Sequence, residues 1–118
     1  MFIHSLTLYI IDPPSAPGSL SVQSTTYNSA TIQWTAPSNN GGSDITGYNI
    51  TISPPPSGDS TCPLGSCTVS PDTLMYNITG LDHTIDYNIS VAAINCAGTG
   101  ATTQLQPNLN IYATGKID

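Results

Sequence analysis

Short runs of alternating apolar and polar residues, each cut off by proline, glycine, serine or asparagine, recur along this chain. No stretch sustains an apolar pattern at helical spacing. A period of two sends successive side chains to opposite faces of an extended strand. Ala30, Ile32 and Trp34 alternate with Thr31, Gln33 and Thr35, and Tyr48, Ile50 and Ile52 with Asn49, Thr51 and Ser53. Leu74, Tyr76 and Ile78 alternate with Met75, Asn77 and Thr79. Tyr87, Ile89, Val91 and Ala93 alternate with Asn88, Ser90, Ala92 and Ile94, and Leu109, Ile111 and Ala113 form a weaker last run. Each run offers one apolar and one mostly polar face, as a strand covered on one side requires. Turn chemistry separates them: Pro37 to Gly42 closes the run holding Trp34, Ser53 to Gly58 the next, and Gly80 and Gly98-Thr99-Gly100 two more. This spacing predicts an all-β antiparallel sandwich or barrel.

With 118 residues, 38% of them apolar, the chain suits one domain around one core. Its charge is unusual: no Arg, no Glu, Lys116 as the sole basic side chain, and a net charge of −6. A nucleic-acid partner needs Lys and Arg to displace counterions from phosphates, and an anionic membrane surface would repel this chain, so neither is expected. The longest apolar run, Phe2 to Ile11, is interrupted by His4, Ser5 and Thr7 and is too short to span a bilayer. A signal peptide there would lack a positive leading region and a small-x-small cleavage site.

Several segments resemble the fibronectin type III domain. Ala30 to Pro37 looks like its second strand, with the core Trp34 and closing proline, and Gly42 to Ile50, which includes Tyr48, resembles the approach to its third. Tyr76 to Leu81 followed by Tyr87 to Asn95 is similar to the strand pair around that family's tyrosine corner. Pro14-Ser15-Ala16-Pro17 with Leu20 and Val22 fits the first strand. The resemblance implies a seven-stranded antiparallel Ig-like sandwich over residues 13–115, a tail at 116–118, and a core signature of Trp34, Tyr48, Leu81 and Tyr87. Trp34 would fill the space between two sheets about 10 Å apart, and Tyr87 would bury its ring and bond its hydroxyl to backbone at the corner. His83 and Ile85 depart from the family's usual residues there. Ser5-Leu6-Thr7-Leu8-Tyr9 echoes Asn108-Leu109-Asn110-Ile111-Tyr112. Residues 1–12 are therefore expected to be the last strand of a truncated preceding repeat, or a linker.

Three Asn-x-Ser/Thr triplets begin at Asn49, Asn77 and Asn88. Each is a candidate acceptor for an N-linked glycan, since alternation points each asparagine to solvent. As merely polar strand positions they would look the same. The resemblance implies that Asn49 and Asn88 fall on neighbouring strands of one outer face. Cys62 and Cys67 enclose four residues, which fits a disulfide across a small hairpin. Free thiols are the alternative, and a zinc site would have to recruit the scattered Cys96, His4 and His83. Cys96 is expected to be half-buried after the last core position.

A catalytic site needs a nucleophile, a base and an orienting group. His83 with Asp82 and Asp86 nearby is the nearest approach, and a loop histidine in a polar setting explains it as well. No cofactor, metal or catalytic residue is expected. The resemblance implies that the loops Ser38 to Asp44 and Asn95 to Ala101 meet at one end, and they lack the aromatic or Arg anchors that dominate interfaces. The reading is an extracellular or cell-surface ectodomain module, binding other protein domains or spacing neighbouring repeats. A spacer in a secreted carbohydrate-active enzyme and an intracellular titin-like repeat are the alternatives.

Overall fold

Trp34 sits at the centre of the molecule, 1% exposed, its ring edge-on to Tyr48 with centroids 5.5 Å apart. Two sheets close over this pair. The computed structural model describes residues 10–56 and 60–111. Within these, seven strands follow in order: β1 (Gly18–Thr25), β2 (Ala30–Thr35), β3 (Gly47–Ser53), β4 (Ser66–Val69), β5 (Met75–Ile78), β6 (Asn88–Asn95) and β7 (Gly98–Gln104). One sheet has the order β1-β2-β5, the other β4-β3-β6-β7, and every pairing is antiparallel. This is the all-β sandwich that the alternation and the resemblance imply.

The apolar partners in each alternating run face the gap between the sheets. Ala30, Ile32 and Trp34 of β2, Ile50 and Ile52 of β3, Ile78 of β5, and Ile89, Val91 and Ala93 of β6 are all buried. Each large aliphatic side chain so placed stabilises the fold by about 1.5–3 kcal/mol relative to exposure. Burial also pushes the Tyr48 hydroxyl above its ordinary pKa.

The final strand differs from the expectation. Leu109 and Ile111 do not form it: β7 runs from Gly98 to Gln104, through the segment read as a glycine turn. Leu109 instead makes a single bridge to Tyr87, with both N–H···O bonds at 2.8 Å, and Ile111 is buried in the core. β7 escaped the period-two reading because its residues, Gly-Thr-Gly-Ala-Thr-Thr-Gln, include no large apolar side chain. Gly100 is glycine for a spatial reason, since a Cβ there would stand 1.9 Å from the Pro14 carbonyl oxygen. The segment Pro14 to Pro17 thus lies along β7, where the Thr103 hydroxyl donates to the Pro17 carbonyl. β4, four residues long, is a further strand that the alternating runs do not include. The expected preceding strand at 1–12 and tail at 116–118 fall mostly outside the described residues, as does Ala113.

Candidate functional site

The pole where β2 ends, β3 begins and β6 ends gathers three segments: the lead-in Ile10 to Pro17, the loop 36–46, and the Cys96-Ala97 turn. Asn95 joins them. The alternation Ile89, Val91, Ala93 carries on to Asn95 and turns its amide inward, where it is 4% exposed. A buried amide without partners would be costly. Here Nδ2 donates to the carbonyls of Asp12 at 2.7 Å and Asn40 at 2.8 Å, and Oδ1 accepts from the Ala97 N–H at 2.8 Å. Three of the four bonds an asparagine amide can make are filled.

The lead-in is fixed by its own backbone too. Asp12 N–H donates to the Gly41 carbonyl and Ser15 N–H to the Asn39 carbonyl, both at 2.9 Å. The Ser15 hydroxyl also accepts from Asn39 N–H at 3.1 Å. Gly41 has φ +78°, and a Cβ on it would lie 1.9 Å from the Asp12 carbonyl oxygen. Only glycine lets the two chains approach so closely. Ile10, 77% exposed, projects from this clamped segment.

The two loops expected to meet do so, through Asn95 and Asn40 and through the Cys96 Sγ, 3.3 Å from the Ser43 hydroxyl. Residues 98–101 of the second, however, belong to β7. Cys96 is exposed rather than half-buried, because it opens the turn immediately after the inward Asn95. Asn95 itself was missed as a site residue. A polar residue in register with the buried face was the available signal.

At the opposite pole Tyr87 is fully buried and its hydroxyl accepts from the Asp82 N–H at 2.8 Å. The tyrosine corner is therefore intact despite His83 and Ile85, and Leu81 is buried beside it. Asp82 Oδ1 takes the Thr84 hydroxyl at 2.6 Å and the Thr84 N–H at 2.8 Å. Those bonds, the side-chain one first, hold its carboxyl below the usual aspartate pKa, with a smaller pull from His83. The His83 ring faces Tyr27 at 6.0 Å, and Asp86 accepts from Asn110. The Asp82 carboxylate thus bonds to Thr84 and that of Asp86 to Asn110. Among the described residues no three His, Cys, Asp or Glu side chains stand together to hold a metal ion.

Cys62 and Cys67 are joined as a disulfide with Cα atoms 5.5 Å apart. Cys62 belongs to the core and Cys67 to β4, which the bridge ties to the β3–β4 connection. Asn77 and Asn88 are exposed, whereas Asn49 is half-buried on β3 with its Oδ1 accepting from the Ser66 hydroxyl at 3.2 Å. Asn49 and Asn88 share the outer face of the four-stranded sheet, and Asn77 lies on the other sheet.

Residues 15–107 match the profile of the fibronectin type III domain. The chain belongs to the fibronectin type III family. This fibronectin type III module is 37% identical over 91 residues to titin from Drosophila melanogaster, a match covering 77% of the chain. It is 33% identical over 100 residues to the human cell adhesion molecule DSCAM, covering 85% of the chain. It spans 5% of DSCAM and a share of titin that rounds to 0%. A crystal structure of domains from titin superposes with a TM-score of 0.64 at 24% identity, covering 84% of this chain and 32% of that one. A structure of titin kinase and its flanking domains gives 0.65 at 23%, covering 87% and 18%. At those identities the structural likeness concerns the fold. The relatives are far longer proteins, of which such a module is one part, serving protein binding or spacing.

Proposed function

We propose that this module is a non-catalytic protein-binding or spacer unit of an extracellular adhesion or receptor array. Its partners are then other protein domains, including neighbouring repeats of its own chain. The observation that carries the reading is the Cys62–Cys67 disulfide. Disulfides persist in oxidising compartments and are rare where glutathione keeps thiols reduced. The similarity to DSCAM supports this setting. A second reading, an intracellular repeat, is favoured by the similarity to titin.

Redox state separates them. The chain would be expressed with a secretory leader in eukaryotic cells, and its mass compared with and without alkylation before reduction. The extracellular reading expects secreted protein, one pair of hydrogens short, with Cys96 alone alkylated. Retained protein with all three thiols alkylated would transfer the module to the intracellular class.

A further inference from the structure

The disulfide leaves the three Asn-x-Ser/Thr triplets unexplained. In a strand, the asparagine and the hydroxyl residue two positions later share a face. Asn88 pairs in this way with Ser90 on β6, whereas Thr79 follows Asn77 one residue past the end of β5, its hydroxyl accepting from the Thr61 N–H at 3.0 Å. The residues between them, Ile78 and Ile89, are fully buried, so both asparagines aim away from the core. Asn77 stands on β5 and Asn88 on β6, in different sheets and hence on opposite outer faces. The Asn77 Oδ1 accepts from the Thr31 hydroxyl at 3.1 Å, which leaves its Nδ2 outside that bond.

A separate observation concerns charge. None of the residues in β1 to β7 is Asp, Glu, Lys, Arg or His. Soluble domains ordinarily solvate their surfaces with roughly 25–35% charged residues. β5 is moreover an edge strand with neither a lysine nor a proline to deter pairing with another chain. Both faces therefore need another source of solvation and bulk, and each has one exposed acceptor asparagine.

We propose that Asn77 and Asn88 carry N-linked oligosaccharides, one on each sheet face, leaving the two poles as the bare contact surfaces. The inference rests on the extracellular reading. In the transfer, the side-chain nitrogen attacks C1 of the first sugar of a polyprenyl-diphosphate oligosaccharide. The C1–N bond forms as the C1–O bond to diphosphate breaks. An amide proton is lost, and polyprenyl diphosphate leaves with the bonding electron pair.

The test is site mapping on the secreted chain. N-glycans are removed enzymatically in heavy-oxygen water, which turns each occupied asparagine into labelled aspartate. Chymotryptic peptides are then sequenced by mass spectrometry. Label is expected at Asn77 and Asn88, and Asn77→Gln and Asn88→Gln should each remove one step of gel mobility. Secreted, disulfide-bonded protein in which either asparagine is unlabelled would overturn the proposal while leaving the extracellular reading intact. Label at Asn49 in place of either would overturn it equally. Retention in the cell with three free thiols would remove both.

Discussion

Replacing Asn95 by alanine tests the clasp at the loop pole. The change deletes three hydrogen bonds, to Asp12 O, to Asn40 O and from Ala97 N. At about 0.5–1.5 kcal/mol net each, their sum is roughly 1.5–4.5 kcal/mol. Asp12 and Asn40 are exposed residues whose carbonyls can recruit water once the amide is gone, so the expected cost is in the middle, about 2–3 kcal/mol. For a domain of this size that lowers Tm by roughly 10–20 °C. Urea unfolding followed by Trp34 fluorescence should show an earlier midpoint at unchanged slope, since the surface exposed on unfolding is the same. Hydrogen exchange should quicken at the Asp12 amide, which bonds to Gly41, before the β3–β6 amides respond. Asn95→Asp is almost the same shape but brings a charge and loses both donors. Burial against two carbonyls raises its folded pKa above the unfolded value near 3.9. A raised pKa means that its stability relative to wild type is best below that unfolded value, and is lost as pH rises through the folded one. A midpoint for Asn95→Ala within about 1 °C of wild type, with Asp12 still protected, would refute the assignment of Asn95 as the clasp.

Gly41→Ala should destabilise by about 2–4 kcal/mol, because φ is +78° and the new Cβ meets the Asp12 carbonyl oxygen. Chemical denaturation would check it, and an unchanged midpoint would mean that the lead-in does not pack against Gly41. Tyr87→Phe leaves the part-buried Asp82 N–H without its acceptor and should cost about 1–3 kcal/mol, read as a lower Tm. The carboxyl of Asp82 should titrate below an ordinary aspartate by NMR, and Thr84→Val, which removes the leading cause, should bring it back up. Because that folded pKa is lowered, its stabilising contribution is present above the unfolded aspartate value and lost as pH falls through the folded one. Reducing the Cys62–Cys67 bridge, a sequence separation of five, should cost about 2 kcal/mol by loop-closure entropy, visible as a lower Tm in reductant.

The sheets were legible where a strand is covered on one side and polar on the other. β2, β3, β5 and β6 carry large apolar residues at every second position, so their sites and inward faces could be read directly. β7 could not, because an edge strand of Gly, Thr, Ala and Gln carries no apolar alternation, and β4 could not because its alternation, Cys67 and Val69 inward against Ser66 and Thr68, spans only four residues. Tyr87 was legible because a buried tyrosine must find a partner for its hydroxyl, and the corner supplies one. Asn95 was not singled out, although it continues the buried phase of β6. Its partners, Asp12 and Asn40, lie 83 and 55 positions away along the chain. No local pattern announces contacts of that range.

Among the described residues charge is confined to the loops, which has a consequence for ionic strength. Asp12, Asp44 and Asp72 lie at the pole with Asn95, and Asp82 and Asp86 at the other, with uncharged sheets between. Salt has nothing to screen along the flanks, so the stability of strand pairing should be nearly indifferent to it. Tandem copies would instead meet acid against acid across their junctions. At physiological salt that repulsion reaches only about 8 Å, and in dilute buffer several times farther. A string of such modules would therefore straighten at low salt and flex as salt is added, while each module stayed unchanged.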